Sequence, residues 1–185
     1  MELRVDTLSE ATWTPYAELI ARHNGIFGGC WCMGFHSEGC SNDAALNRDT
    51  KLSRVQSGDA HAALVFDGRT CIAFCQFGPT GELPRIKNRK SYEATLGTLP
   101  DWRITCFFVD RAFRGKGVAT MALRGALTQI AERGGGLVES YPDDKQGRRT
   151  SPGFIHNGTL TMFEAAGFTR DRAIGKTRWV VTKQV

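Results

Sequence analysis

One stretch, Trp102 to Tyr141, narrows the fold more than any other. It opens with Trp102-Arg103-Ile104-Thr105-Cys106-Phe107-Phe108-Val109, rich in apolar and β-branched residues, which reads as a buried strand. The loop Arg114-Gly115-Lys116-Gly117 follows. Val118 to Arg133 then places Met121, Leu123, Ala126, Leu127 and Ile130 at helical spacing, so one stripe of a helix is expected to be buried. Gly134-Gly135-Gly136 ends that helix, and Leu137 to Tyr141 is again strand-like. A strand, an amphipathic helix and a second strand joined in this order form a crossover, which sets two strands parallel in one sheet.

The other elements pair differently. Leu3-Arg4-Val5 reads as a short strand, and Ser9 or Thr12 opens a helix carrying Tyr16, Leu19 and Ile20, which runs out at Asn24-Gly25. Gly25 to Asn42, full of Gly, Cys and aromatic residues, shows no sustained period and reads as an irregular loop. Ala44 to Gln56 is a second helix, stopped by Gly58. His61–Phe66 and Arg69–Phe77 form a hairpin about Asp67-Gly68, and Gly78 to Leu99 is a long connection. Gly158 to Ala166 is a last helix, stopped by Gly167 and followed by strands near Phe168–Ile174 and Arg178–Thr182. The expected class is α/β (α+β), a mixed, mostly antiparallel central sheet with one parallel pair, flanked by helices. At 185 residues it is expected to be a single domain, 1–185.

Charge and composition exclude several classes. The net charge of +5 comes from scattered basic residues; only Arg111–Lys116 and Lys145–Arg149 are concentrated, and neither is interleaved with aromatic residues as a single-strand binder requires. No nucleic-acid partner is expected, and a phosphate-bearing cofactor accounts for the excess. No apolar run approaches the roughly 20 residues that span a bilayer, so no membrane partner is expected. The charged start Met1-Glu2-Leu3-Arg4-Val5-Asp6 points to an unexported, cytoplasmic protein, and the six cysteines are expected to be reduced thiols. Cys30, Cys32, His36 and Cys40 could offer four zinc ligands, but Cys-x-Cys departs from the usual Cys-x2-Cys spacing, and Trp31 and Met33 resemble core or pocket wall. No metal is expected.

The loop after the buried strand carries chemistry. A helix N-terminus leaves backbone N–H groups without partners and a partial positive charge, and glycines let an anion approach the main chain. Arg114, Gly115, Lys116, Gly117, Val118, Ala119 and Thr120 supply such a cradle. It is neither a Walker A loop nor the dinucleotide fingerprint, whose residues are missing. As Arg-x2-Gly-x-Ala following Cys106-Phe107-Phe108-Val109, it resembles the pyrophosphate-binding motif of the GNAT superfamily of N-acetyltransferases. Asn157 to Phe168, ending Met162-Phe163-Glu164-Ala165-Ala166-Gly167-Phe168, resembles that family's last helix and exit. The Gly29-Cys30-Trp31-Cys32-Met33 stretch is similar to a bacterial subgroup of it.

The resemblance implies a fold and a function. Acetyl-coenzyme A would be held by Phe107, Phe108, Val109, the loop Arg114–Thr120, Asn157 and Phe163, in a slot opened where the strand Leu137–Tyr141 splays from its parallel neighbour. The Val109 N–H would steady the oxyanion formed at the thioester carbonyl. Many family members place a Tyr acid where this chain has Phe163, so Tyr141 is the substitute acid and Glu139 the base, both on one strand face by alternation. Trp31, Cys32, Met33, Phe35, Gln76, Phe77 and the Gly78–Leu99 connection would wall the acceptor pocket, with Asp101, Glu82 and Asp143 available to attract a cationic amine. Cys32 as a covalent nucleophile is the lesser route. The expected reaction is acetyl transfer to a primary amine of a small molecule, for example an aminoglycoside-like antibiotic as in kasugamycin-type acetyltransferases. Alternatives are a non-catalytic acetyl-coenzyme A sensor and a protein or peptide amine acetyltransferase. Family dimers suggest a homodimer through the C-terminal strands.

Overall fold

The computed structural model describes residues 2–144 and 156–185. Its strands are β1 (Leu3–Thr7), β2 (His61–Asp67), β3 (Thr70–Pro79), β4 (Trp102–Val109), β5 (Leu137–Ser140), β6 (Thr169–Ala173) and β7 (Trp179–Gln184). Its helices are α1 (Glu10–Ala21), α2 (Ala44–Gln56), α3 (Arg89–Ala94), α4 (Val118–Glu132) and α5 (Leu160–Ala165). The strands form one sheet in the order β1-β2-β3-β4-β5-β7-β6. Every neighbour pair is antiparallel except β4 and β5, which the α4 crossover joins in parallel.

Alternation along the strands divides the core into two layers. Ala62, Leu64 and Phe66 of β2 pack with Trp13, Tyr16, Leu19 and Ile20 of α1, whereas Ala63 and Val65 face Ala122, Leu123, Ala126 and Ile130 of α4. Gly125 lets α4 lie close on the sheet, since a Cβ there would fall 2.5 Å from Val5 Cγ1. α1 begins at Ser9, whose backbone N–H donates to Thr12 Oγ1 at 2.9 Å, and α2 begins at Asp43, whose carboxylate accepts from the N–H groups of Ala45 and Leu46. The segment between α1 and α2 is irregular apart from a 3-10 turn at Met33–Phe35, and left-handed conformations at Trp31 and Cys32 fold it onto the sheet.

The structure corrects the sequence reading in several places. The hairpin turns at Gly68-Arg69 instead of Asp67-Gly68, because a bulge at Val65/Phe66 moves the register until Asp67 pairs with Thr70. The connection after β3 contains α3, whose six residues are too few for a period to emerge. On α4, Met121 and Leu127 are only half-buried, and the buried face is Val118, Ala122, Leu123, Ala126, Gln129 and Ile130, rotated toward β2 and β3. The last helix is shorter than expected and starts at Leu160, two residues after the positive φ of Gly158.

Candidate active site

β4 and β5 are paired only from Trp102 to Ile104, opposite Val138 to Ser140. Ser140 Oγ donates to the Ile104 carbonyl at 2.8 Å, and beyond that bond the strands separate. Further along β4, the Asp110 N–H donates across to Ile72 of β3 at 2.8 Å. By alternation the Phe107 and Val109 N–H groups face the opposite, forked edge. The Phe107 N–H there donates to the His156 carbonyl at 2.6 Å.

A cleft of about 840 Å³ runs along this edge to the start of α4. Its walls include Phe107, Phe108, Val109, Arg114, Gly115, Gly117, Val118, Ala119 and Thr120, so nine of the twelve residues expected to hold the cofactor share one surface. Gly115 (φ 74°) and Gly117 (φ 76°) are left-handed, and nothing lies within 4 Å of where either Cβ would stand, leaving the main chain open to a ligand. No side chain caps α4 at Gly117, and its first helical bond runs from the Met121 N–H, so the N–H groups of Val118, Ala119 and Thr120 precede the ladder. Arg111 and Arg114 add positive charge; the Arg114 Nε donates to the Val109 carbonyl at 3.1 Å, and its guanidinium lies 5.8 Å from the Phe108 ring centroid.

The three other expected cofactor residues stand apart. Lys116 projects over the Phe113 ring at 5.4 Å and is not part of the lining. Phe163 is fully buried, edge-on to Phe107 and Phe168, and lies behind the lining residues Phe107 and Gly158. Asn157 is also buried, next to the lining residue Gly158, and among the described residues neither its Oδ1 nor its Nδ2 has a hydrogen-bond partner. The basic concentration at Lys145–Arg149 lies outside the described residues.

A second cavity of about 700 Å³ continues past Phe27, which lines both spaces. Among the described residues, Cys30, Cys32, Gly34, Phe35, Cys40, Arg85, Ile86, Lys87, Cys106 and His156 also line it. Cys32 and Phe35 thus lie where an acceptor pocket was expected, but Trp31, Met33, Gln76 and Phe77 do not. Trp31 stacks on Trp13, Met33 is fully buried, and Phe77 packs against Trp102 beneath α4 on the other face of the sheet. The Gln76 side chain accepts from Lys51 Nζ at 2.9 Å and donates to Thr105 Oγ1 at 3.2 Å. Among the described residues no three His, Cys, Asp or Glu side chains converge as metal ligands. His36 is instead held between the Glu82 carbonyl, 3.2 Å from Nδ1, and Lys51.

The titratable groups sort by burial. Burial pushes the Cys30 thiol up to about 12 and raises Cys32 well above its ordinary value, the latter helped by its hydrogen bond to Cys106. Thiols held protonated are poor nucleophiles, which argues against a covalent route through Cys32. Glu139 and Tyr141 are brought together, as alternation requires, with the phenol donating to Glu139 Oε1 at 2.6 Å. Both are buried beside Tyr92 and Arg172, outside the lining of either cavity, and burial followed by the Glu139 charge holds the phenol well above its usual range. The other expected carboxylates are committed elsewhere. Asp101 accepts from the Leu137 N–H at 2.7 Å, Glu82 pairs with His61 at 2.6 Å, and Asp143 pairs with Arg178 at 3.0 Å.

Sequence reasoning missed Phe27 and His156; it expected the Gly78–Leu99 connection beside the acceptor without singling out Arg85 or Lys87, which line the second cavity. Lys87 Nζ lies 2.9 Å from His156 Nε2, and the imidazole packs near Phe27 and Phe35. Burial, then the Arg178 charge, lowers the Lys87 pKa. No motif flags these residues; the signals were the length of the Lys- and Arg-bearing Gly78–Leu99 connection and the place of His156 directly before Asn157-Gly158.

Comparison with known proteins agrees with this geometry. Residues 33–146 match the model of the acetyltransferase (GNAT) family. No curated protein matches the chain. Among solved structures, the PaiA N-acetyltransferase of Thermoplasma acidophilum, in complex with coenzyme A, is similar at TM-score 0.55 and 17% identity, covering 100% of both chains. A mosquito arylalkylamine N-acetyltransferase like 5b is similar at TM-score 0.56 and 13% identity, also covering 100% of both. The acetyltransferase YncA of Salmonella typhimurium, with its cofactor acetyl-CoA, is similar at TM-score 0.53 and 12% identity over 99% of this chain and 92% of that one. Identities this low speak for the fold alone. The family match spans more than half of the sequence, and the chain belongs to the GNAT family of acetyltransferases, whose members draw the acetyl group from acetyl-coenzyme A.

Proposed function

We propose that this enzyme transfers the acetyl group of acetyl-coenzyme A to the primary amine of a small molecule. The observation that carries the reading is a single one: the fork between β4 and β5 opens into the same cleft as the uncapped N-terminus of α4. The residues present fit such a cofactor. Gly115 and Gly117 leave a cradle that any Cβ would narrow, Arg111 and Arg114 supply charge for phosphates, and Asn157 offers buried amide atoms without partners. When bound, the cofactor supplies an activated acyl thioester.

The chain's own part in the chemistry is positioning, dehydration and proton handling. The Val109 N–H, on the forked edge, is the donor best placed for an oxyanion, with the Phe107 N–H presently engaged by His156. Phe107, Phe108 and Phe27 keep water from the edge. Among the described residues, the titratable groups lining the second cavity apart from thiols and Arg85 are Lys87 and His156, so we assign this pair the acceptance of the proton shed by the amine. Glu139, the base expected from sequence, is sealed in the core.

A cavity of about 700 Å³ suits a small molecule better than a folded protein tail. An aminoglycoside-like antibiotic is a candidate of that size, although its ammonium groups would meet Arg85 and Lys87. One observation favours a second reading, a non-catalytic sensor of the cofactor: Phe163 has no proton to give to a leaving thiolate. A thermal-shift titration with coenzyme A and a thiol-release assay with a panel of amines separate the two. Stabilisation with turnover is expected; stabilisation without turnover of any amine supports the sensor, and no stabilisation at millimolar coenzyme A overturns both.

A further inference from the structure

The second cavity is charged in one sense only. Among the described residues, Arg85 and Lys87 stand at its rim, His156 adds to the polar wall, and no Asp or Glu lines it. Carboxylates on neighbouring segments are engaged elsewhere: Glu38 with Arg54 at 2.8 Å, Glu82 with His61, and Asp143 with Arg178. Residues 145–155 contain no Asp or Glu in their sequence. Arg85 makes no ion pair among the described residues; its guanidinium hydrogen-bonds the Ser37 carbonyl at 3.5 Å and lies against Gly39, where a Cβ would collide with Nη1, and a backbone bond from its N–H to the Phe35 carbonyl fixes where it emerges. The rest of the wall is apolar or thiol.

A polycationic amine would be repelled by this rim and would find no free carboxylate within. An amine that also carries a carboxylate would find a guanidinium whose planar fork matches it, and a second positive charge shared by Lys87 and His156. We propose that the acceptor is an amino acid or related amphoteric amine, with its carboxylate at Arg85 and its apolar body against Phe27, Phe35 and Ile86. This rests on the acetyl-transfer reading above and gives it a substrate class that the aminoglycoside candidate does not satisfy.

The test compares matched pairs: phenylalanine and para-(aminomethyl)benzoate, each against its methyl ester, with spermidine as the polycation. Two readouts are taken: calorimetric binding to coenzyme A-saturated protein, and acetyl transfer. The acids are expected to bind and react at least about tenfold better than their esters, and spermidine worst. In Arg85→Gln the acid preference should fall to about twofold while the thermal shift with coenzyme A is unchanged; Arg85→Lys should restore part of it. Equal treatment of acid and ester, a preference for spermidine, or an acid preference that survives Arg85→Gln would each overturn the inference. Loss of the coenzyme A shift in the wild-type protein would instead sink the transfer reading on which it stands.

Discussion

Lys51 Nζ lies 2.9 Å from His36 Nε2, and both side chains are buried. Because the Glu82 carbonyl can only accept, Nδ1 of His36 carries the ring proton and Nε2 accepts from Lys51. Burial, reinforced by the Lys51 charge, takes the His36 pKa from 6.5 to about 2. Between those values the unfolded chain binds a proton that the folded chain does not, so stability is full above the unfolded value and falls as pH drops below it. From pH ~6.5 to ~5 the loss from this residue should be about 2 kcal/mol. Urea unfolding midpoints across that range would show it, and His36→Gln should flatten the slope; an unchanged slope would remove His36 as its source.

Gly117→Val should separate cofactor binding from folding. No neighbour obstructs a side chain there, so the stability cost is that of a β-branched residue at φ 76°, about 1–2 kcal/mol. The side chain would, however, stand in the cradle at the head of α4. Coenzyme A affinity measured by calorimetry should fall about tenfold or more while the unfolding transition stays cooperative; unchanged affinity would place the pyrophosphate elsewhere.

Glu139→Gln is expected to act on stability, with kcat/KM and its pH dependence nearly unchanged. The carboxylate accepts the buried Tyr141 hydroxyl and lies 3.8 Å from Arg172, so neutralising it should cost about 1–2 kcal/mol. A steady-state pH profile that loses its acidic limb in this variant would restore Glu139 as the base.

These outcomes bear on how far the sequence could be read. The strand–loop–helix–strand run was legible because each element has its own period and the glycines punctuate it; β4 and α2 fall at the expected residues, and the loop emerges as a wall of the larger cleft. What failed was long-range placement. Cys-rich residues 30–40 look like pocket wall throughout, yet backbone alternation and two left-handed residues send Trp31 and Met33 inward and Cys32 and Phe35 to the cavity. Likewise Glu139 has a suitable chemistry and strand position, and only the packing of Tyr92, Tyr141 and Arg172 around it shows that it is closed off. Arg85 and His156, far apart in sequence and without a motif, come to one cavity only in the folded chain.

Cys40 allows a chemical test of the division between the two cavities. Four of the six cysteines are buried, Cys30 is half-buried with its thiol raised to about 12, and Cys40 is exposed on the wall of the second cavity. Native protein should therefore react rapidly with one equivalent of a maleimide, at Cys40, and the remaining thiols should react only on unfolding. The adduct would project beside Arg85 and Phe35, away from Gly115 and Gly117, so acetyl transfer should fall at least about fivefold while coenzyme A affinity changes less than about twofold. Cys40→Ser should keep its activity through the same treatment. If labelled protein instead lost coenzyme A binding in step with transfer, the two cavities would not be separate donor and acceptor sites.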